Sequence, residues 1–227
     1  DNNIGPARNF QFLLNQAETD YFMWAGDDDY RSPDFIEQMI KSLLENPHAS
    51  VAFCDFIAVD ESDNKIENYP NFYSKMKFFV NNNRVLRLLS YFNQKEKFGK
   101  ANLIYGLMRS RCIPDFNPFS FSKYGGDMHF VYRLLANGPA VICDKKLYKS
   151  AVGNVKFHTK NDFENGKFYK NIMIISQFCE YVFHYIKISP ASIKPLIILL
   201  IPMKIISLTF NAIFLPFLLN KLSSVRG

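Results

Sequence analysis

The sequence has few of the features that identify a metal-bound, disulfide-bonded or nucleic-acid-binding protein. Its four cysteines, Cys54, Cys112, Cys143 and Cys179, are widely spaced and form no CxxC pair, so neither a zinc site nor a disulfide framework is predicted. The net charge is +6, yet no basic stripe or nucleic-acid-binding motif is present. We therefore predict no nucleic-acid partner, and the positive charge suits an anionic membrane surface or a phosphorylated ligand better.

The chain also lacks internal repeats, low-complexity linkers, an initiator Met and a signal-peptide pattern. The first recognisable unit after Asp1 belongs to the middle of a fold, so an amino-terminal truncation is expected. Hydrophobic residues make up 48% of the 227 residues, including 23 Phe and 12 Tyr, which excludes a disordered chain. This length and composition predict one sizeable domain plus a carboxyl-terminal appendage.

One acidic stretch dominates the amino-terminal half. Asp27, Asp28 and Asp29 follow an aromatic run at residues 20–24 that is typical of a buried strand. Ser32 and Pro33 then have the pattern of a helix start, with Ser at the N-cap and Pro at the first helical position. The acids are therefore predicted in a turn between a strand's carboxyl end and a helix, where open α/β sheets bind ligands.

Three adjacent carboxylates repel one another unless a cation neutralises them. A divalent cation with oxygen ligands, itself bound to a phosphate, would do so. The alternative is a solvated acidic turn.

Periodicity along the rest of the chain predicts an α/β domain. The predicted elements are a short helix after Pro6, a helix from Pro33 to Asn46, a strand at 51–59 with a hairpin partner at 65–69, a helix from Val85, a strand at 101–108, a loop at 114–126 that forms a candidate mobile wall, a helix from Gly125 capped at Gly138, and a short strand at 140–143.

Several of these pieces, in order, resemble family 2 glycosyltransferases. Asn3, Gly5 and Ala7-Arg8-Asn9 are similar to that family's amino-terminal turn at a shorter spacing, and the three acids followed by Pro33 are similar to its DxD region. Residues 51–66 resemble the strand–turn–strand that follows. Gly126-Asp127 and the residues up to Gly138 resemble the segment with the catalytic base. The resemblance extends over about residues 1–150. It departs from the family at Gly26, where many members have Asp, and in lacking the first strand.

The resemblance implies an inverting enzyme with a GT-A fold, a Rossmann-like mixed sheet flanked by helices. Arg8, Asp27 and Asp28 would bind a nucleotide-sugar donor, with a UDP- or dTDP-sugar expected. Asp28, with Asp27 and Asp29, would bind Mg²⁺ or Mn²⁺, and Asp127 would be the general base. The alternatives are a surface salt bridge for Arg8 and a helix N-cap for Asp127. His129 is a weaker candidate for the acceptor side, with a partly buried helix His as the alternative, and His158 is a weaker candidate for a metal or phosphate ligand. Gly106 is a candidate for a close backbone approach at the acceptor side, with a strand bulge as the alternative.

The carboxyl-terminal region, residues 151–227, is predicted to be helical and membrane-associating. Apolar residues from Phe168 to Ile186 recur at helical spacing, and residues 193–222 are mostly apolar. An interfacial or re-entrant hairpin is preferred over a span because of Pro202 and Lys204, and a buried dimer helix is the third alternative. Together with the resemblance, this predicts a lipid-linked saccharide acceptor of bacterial O-antigen or capsule at the cytoplasmic face of the inner membrane.

Two other classes remain open on the sequence. One is a truncated, non-catalytic glycosyltransferase-like domain that only binds membrane or a partner. The other is a nucleotidyltransferase, which would need a Gly-rich phosphate loop with a Lys, and the sequence shows none.

Overall fold

The computed structural model of the chain describes residues 3–26, 29–60, 62–66, 76–121, 123–151 and 167–211. The chain divides into two compact units, Asp1–Val155 and Lys156–Gly227. The helices and strands of the first unit are α1 (Pro6–Asn15), β1 (Tyr21–Phe22), β2 (Tyr30–Arg31), α2 (Phe35–Glu45), β3 (Val51–Val59), α3 (Arg84–Asn93), β4 (Leu107–Arg109), α4 (Pro118–Phe121), α5 (Gly126–Asn137) and β5 (Ala140–Ala151). Short 3₁₀ helices lie at Lys77–Val80, Glu96–Phe98, Lys100–Tyr105 and Ser110–Cys112.

The five strands form one mixed sheet in the order β1-β4-β3-β5-β2. The central strands β3 and β5 are parallel, and the remaining pairs are antiparallel. β3 is buried along most of its length because Val51, Ala52, Phe53 and Cys54 are completely covered, as expected for a strand with helices on both faces. The fold is a mixed α/β sheet flanked by helices, as predicted and consistent with GT-A.

Helices α2, α3 and α5 pack by the apolar faces that the sequence predicts, with one exception. Phe35, Met39 and Leu43 of α2 are buried, but Ile36 and Leu44 remain 41% and 65% exposed. The apolar side chains of α2 are therefore only partly covered. Between α3 and α5, the buried Arg87 donates from Nε to the Leu135 carbonyl at 2.7 Å. This bond fixes the two helices to each other through a charged group that periodicity does not reveal.

The predicted strand at 101–108 is wrong over most of its length. Residues Lys100–Tyr105 form a 3₁₀ helix, and only Leu107–Arg109 pair with the sheet. Gly106 is the point of change: a Cβ there would lie 2.6 Å from the Ala52 carbonyl oxygen, so only glycine allows this approach to β3. The close backbone approach of Gly106 is thus to the sheet, and the predicted approach at the acceptor side stays a prediction.

The predicted helix start at Ser32 and Pro33 is also wrong. The helix begins at Phe35 with Asp34 at its N-cap, and Ser32 Oγ donates to Asp34 Oδ1 at 2.7 Å in the preceding turn. Tyr30 and Arg31 form an additional strand, β2, paired with β5. The acids therefore precede a strand and not a helix. The pairing partner, more than one hundred residues away in the chain, cannot be read from the local sequence.

β5 extends to Ala151, well beyond the predicted 140–143, because its polar half pairs with both β3 and β2. Gly138 ends α5 as predicted. Its backbone is extended, and its need for glycine comes from packing, since a Cβ would lie 2.6 Å from the His48 carbonyl oxygen. Of the predicted hairpin partner at 65–69, Lys65 bridges Val59, and residues 67–69 lie outside the described residues.

The second unit contains α6 (Lys167–Ile188) and α7 (Lys194–Thr209), which pack on each other. Tyr181, Tyr185, Ile197 and Ile201 are buried between them, and the two tyrosine hydroxyl oxygens lie 3.0 Å apart. Over the described ranges, no helix has the length and apolarity that a bilayer span requires. Residues 212–222 of the predicted hydrophobic segment lie outside those ranges.

Candidate functional site

The acidic segment, residues 25–29, joins opposite edges of the sheet. β1 ends at Phe22 on one edge, and β2 begins at Tyr30 on the other. Tyr30 pairs with Lys149, and Lys149 pairs with Ile57, so the segment returns to the sheet near the carboxyl ends of β5 and β3. This is the edge at which parallel strands place ligands.

An aromatic cluster lies under this segment and consists of Phe10, Phe22, Trp24, Phe116, Phe121 and Phe130. Trp24 is at its centre and is 2% exposed. The Trp24 ring lies 5.2 Å from that of Phe130 on α5, and the Trp24 indole N–H donates to the Phe10 carbonyl of α1 at 3.2 Å. One buried side chain thereby joins α1, the root of the acidic segment and α5. Phe116 and Phe121 belong to the predicted wall at 114–126, whose mobility stays a prediction.

Arg31 closes the segment at its other end. Its Nη2 donates to the Trp24 carbonyl at 3.2 Å. This bond joins a residue on the carboxyl-terminal side of the acids to one on their amino-terminal side. The guanidinium also lies between the rings of Phe35 and Tyr148, at 5.7 and 5.0 Å from their centroids. Within the described part of the chain, the buried Arg31 Nε has no hydrogen-bond acceptor. Arg31 thus places a positive charge in a fixed position two residues after Asp29 in the chain.

Of the three acids, Asp29 is half-buried, and Asp27 and Asp28 lie outside the described residues. The described residues contain no group of three His, Cys, Asp or Glu side chains placed to bind a metal ion. The donor set itself fits Mg²⁺ or Mn²⁺, since both prefer carboxylate oxygens. The half-buried Asp29 beside the sheet's carboxyl edge is the part of that set with a described position.

Asp127 lies in the first turn of α5. The N-cap is Gly125 with φ 71°, so the alternative of Asp127 as N-cap is wrong by two positions. Gly126 is required next to it, because a Cβ would lie 2.2 Å from the Phe121 carbonyl oxygen. β1 and β5 both run parallel to β3, so Trp24 follows β1 at the edge where β3 and β5 also end. Phe130, three residues after Asp127 on α5, contacts Trp24 at this edge. Asp127 and the acidic segment therefore lie at the same edge.

Burial raises the pKa of the Asp127 carboxyl above its ordinary value, while bonds from the backbone N–H groups of Met128 and Asp127 itself, and the charge of Lys100, lower it. The Met128 N–H donates to Asp127 Oδ1 at 2.7 Å. A half-buried carboxylate with a raised pKa is a stronger proton acceptor than one in free solution, which is the property a general base needs.

The remaining predicted site residues are Arg8, His129 and His158. Arg8 is exposed on α1, two residues before Phe10 of the aromatic cluster, and within the described ranges no ion pair is formed by it. His129 is a buried residue of α5, in agreement with the interpretation as a partly buried helix His. His158 lies outside the described residues.

Sequence reasoning missed Lys100 and Arg31. Lys100 is fully buried and lies 3.0 Å from Glu96 in an ion pair near Asp127. The only local signal was a Lys after Gly99 in an aromatic stretch, which reveals nothing about burial. Arg31 stands two residues after the acids, and its charge alone could have marked it as a candidate.

A sequence model described as Glycosyl transferase family 2 matches residues 1–106. This range includes Arg8, the three acids and Lys100, and ends before Asp127. No curated protein matches the chain. The resemblance to this family, predicted over residues 1–150, is thereby confirmed for residues 1–106. The family implies a nucleotide-sugar donor and an acceptor. Residues 1–106 of the chain match glycosyl transferase family 2, and this match supports a glycosyltransferase.

Proposed function

We propose that the chain transfers a sugar from a UDP- or dTDP-sugar to a lipid-linked saccharide acceptor, with inversion and with Mg²⁺ or Mn²⁺. The observation that supports this most strongly is the pairing of two carboxylate sites through one buried ring. Trp24, at the root of the acidic segment, contacts Phe130, one helical turn after Asp127 on α5. A donor site and a base on one edge of the sheet are what a single displacement requires.

The donor side consists of the acidic segment and Arg8. Asp28, with Asp27 or Asp29, would bind the divalent cation, which when bound supplies Lewis-acid neutralisation of the leaving diphosphate. Arg8 is exposed at the amino end of α1 and would contact phosphate or base. Arg31 fixes the segment from below through the Trp24 carbonyl.

The acceptor side consists of Asp127. Its carboxylate would remove the proton of the attacking hydroxyl while that oxygen forms a bond to the anomeric carbon and the nucleoside diphosphate leaves from the opposite face. The bond to the Met128 N–H orients the carboxylate in the first turn of α5, and burial strengthens it as a base. The proton then resides on Asp127 until solvent takes it.

The second unit would bring the enzyme to a membrane. α7 exposes an apolar stripe at spacings of three and four residues, the α7 stripe: Leu196, Leu199, Met203, Ile206 and Phe210. Nine Lys and Arg against three acids in residues 156–227 give this unit all of the chain's net positive charge. An exposed apolar helix face on a basic unit is the combination that binds anionic lipid surfaces. We therefore place the enzyme at the cytoplasmic face of the bacterial inner membrane, in O-antigen or capsule synthesis.

The test is metal-dependent nucleotide binding by the full chain and by Asp28→Asn. Trp24 is the only tryptophan and lies beside the acidic segment, so its fluorescence reports binding directly. We expect UDP affinity to rise on adding MnCl₂ in the wild type, and Asp28→Asn to lose at least about tenfold of that affinity, the usual order for removing a charged ligand bond. Unchanged metal-dependent UDP binding in Asp28→Asn would remove Asp28 from the metal site.

A further inference from the structure

Lys100 is a fully buried cation beneath the amino end of α5. Its Nζ lies 3.0 Å from Glu96 Oε1, donates to the carbonyls of Tyr91 and Gln94 at 3.2 Å each, and lies 4.9 Å from the centroid of the Tyr91 ring. Burying a lysine costs free energy that an apolar residue of the same size would not cost. Such a residue is therefore expected to have a role beyond filling space.

The chain is folded locally to place this lysine. Gly99, with φ 71°, separates the 3₁₀ helices Glu96–Phe98 and Lys100–Tyr105 and turns the chain back toward the carboxyl end of α3. The Tyr91 and Gln94 carbonyls that Lys100 contacts are among the last of α3, which have no partner within the helix. A purely structural role, capping α3 with a cation at the negative end of its dipole, would explain these bonds.

The structural role does not explain the connection to Asp127. The Tyr91 hydroxyl, on the ring beneath Lys100, donates to the Met128 carbonyl at 3.1 Å, in the first turn of α5. Lys100 is also close enough for its charge to favour the ionised form of Asp127. One buried side chain thus contacts the helix that orients Asp127 through Tyr91 and acts on the Asp127 carboxylate through space.

We propose that the Lys100–Glu96 ion pair is a positioning device for Asp127, in which Lys100 fixes Tyr91 against the first turn of α5 and its charge favours the carboxylate form. This inference rests on the proposed role of Asp127 as general base. Lys100 is a positioning residue and does not touch the substrate. Burial raises the pKa of the Asp127 carboxyl, and the charge of Lys100 acts in the opposite direction.

The other titratable groups around Asp127 set the expected signs. Glu96 lies on the preceding 3₁₀ helix, Tyr91 on α3, Tyr124 in the turn before α5, and His129 on α5 itself. Burial, with the charges of Glu96 and Asp127, raises the pKa of Tyr124 to about 12, so Tyr124 is neutral at physiological pH. Neutralising Lys100 removes a positive charge and should make Asp127 harder to ionise. Neutralising Glu96 leaves Lys100 less compensated and should make Asp127 easier to ionise.

The experiment is a titration of the Asp127 carboxyl carbon by NMR in the full chain labelled with ¹³C-aspartate, assigned by its absence in Asp127→Asn. The variants are Lys100→Met, which keeps an unbranched side chain, and Glu96→Gln, with Lys123→Met as control because Lys123 is closer in sequence to Asp127 but exposed. We expect the Asp127 midpoint to move to higher pH in Lys100→Met, to lower pH in Glu96→Gln, and to stay in place in Lys123→Met. The acid limb of the pH–kcat/KM profile should move in the same directions.

A merely structural pair would lower the melting temperature of both variants and leave the Asp127 midpoint unchanged, which would overturn the proposal. A shift of the Asp127 midpoint in the same direction in Lys100→Met and in Glu96→Gln would also overturn it. If Lys100→Met does not fold, Glu96→Gln alone decides by the sign of its shift. Because the NMR readout needs no acceptor or turnover, an active Asp127→Asn would refute the base assignment without changing what this titration shows.

Discussion

At the scale of single residues, the site depends on charged groups placed where their charge is costly. Asp127 is half-buried at the amino end of α5, and Lys100 is fully buried beside it. Neither position favours stability of the fold, since burial disfavours the charged form of each side chain. Both are understandable if the carboxylate must accept a proton and the ammonium group must keep it ready to do so.

The cost of the buried carboxylate can be measured as stability. The folded-state pKa of Asp127 is raised, so its contribution to stability is greatest below the unfolded pKa and is lost as pH rises through the folded value. Asn has no charge to desolvate and keeps an oxygen for the Met128 N–H. Asp127→Asn should therefore melt at a higher temperature than the wild type at pH 7, and the difference should vanish as pH falls below about 4, where an ordinary Asp is protonated.

The control is Asp115→Asn, whose carboxylate is fully exposed and 3.8 Å from Arg133. An exposed pair contributes little, so this variant should melt close to the wild type throughout the pH range. A lower melting temperature for Asp127→Asn at pH 7 would show that the carboxylate stabilises the fold and is not held at a cost for function.

At the scale of elements, the acidic segment is defined by its two ends. Trp24 anchors one end in the aromatic cluster, and Arg31 ties the other end back to the Trp24 carbonyl. Lysine in place of Arg31 retains the charge but loses the planar group that lies between two rings. We expect Arg31→Lys to lower the free energy of unfolding by about 1–2 kcal/mol, from the lost hydrogen bond and cation–π contacts.

Urea denaturation followed by Trp24 fluorescence measures this change at the site itself. Arg111→Lys is the matched control, since the exposed Arg111 makes one long bond of 3.4 Å to the Pro47 carbonyl. It should change the unfolding free energy by less than about 0.5 kcal/mol. Equal effects of the two substitutions would mean that Arg31 has no special role in closing the segment.

The same elements show what sequence can and cannot reveal. Strand β3 and helices α3 and α5 were predictable because a buried run or a periodic apolar face determines each locally. β2 was missed because Tyr30 and Arg31 are extended only through pairing with Lys149 and Tyr148. The strand predicted at 101–108 failed because the close contact of Gly106 with β3 and the burial of Lys100, both tertiary effects, decide that region.

The candidate site divides in the same way. Asp127 and the three acids stand out as residue types in a familiar order, so their chemistry could be anticipated. Lys100 and Glu96 could not, because a lysine and a glutamate four residues apart in the sequence usually face solvent. Only the packing of α3, the 3₁₀ helices and α5 shows that they lie under the base.

At the scale of the whole molecule, the two units differ in charge. Residues 1–155 have equal numbers of acidic and basic side chains, whereas residues 156–227 have the entire net charge of +6. The α7 stripe adds exposed apolar surface, with Leu199 and Met203 at 74% and 71%. This division suits a catalytic unit supplied with a separate membrane-binding unit.

Cosedimentation with vesicles containing roughly 30% phosphatidylglycerol tests that division, since anionic lipids attract basic units. We expect the wild type to sediment with vesicles and Leu199→Glu/Met203→Glu to remain in the supernatant. The control, Ile36→Glu/Leu44→Glu, places two charges on the exposed face of α2 in the first unit and should sediment as the wild type does. Sedimentation of the α7 variant at wild-type levels would refute the lipid-binding role of the α7 stripe.

The central claim, that Asp127 is the base of a sugar transfer, is tested most directly by one comparison of wild type and Asp127→Asn. Nucleoside diphosphate release is measured from a panel of UDP- and dTDP-sugars with MnCl₂ and bacterial membranes as the acceptor source, beside UDP affinity from Trp24 fluorescence. Asp127→Asn should bind UDP within a fewfold of the wild type, while acceptor-dependent release falls by about 10²–10⁴-fold, as expected for losing a general base. Release within a fewfold of the wild type would contradict the assignment of Asp127.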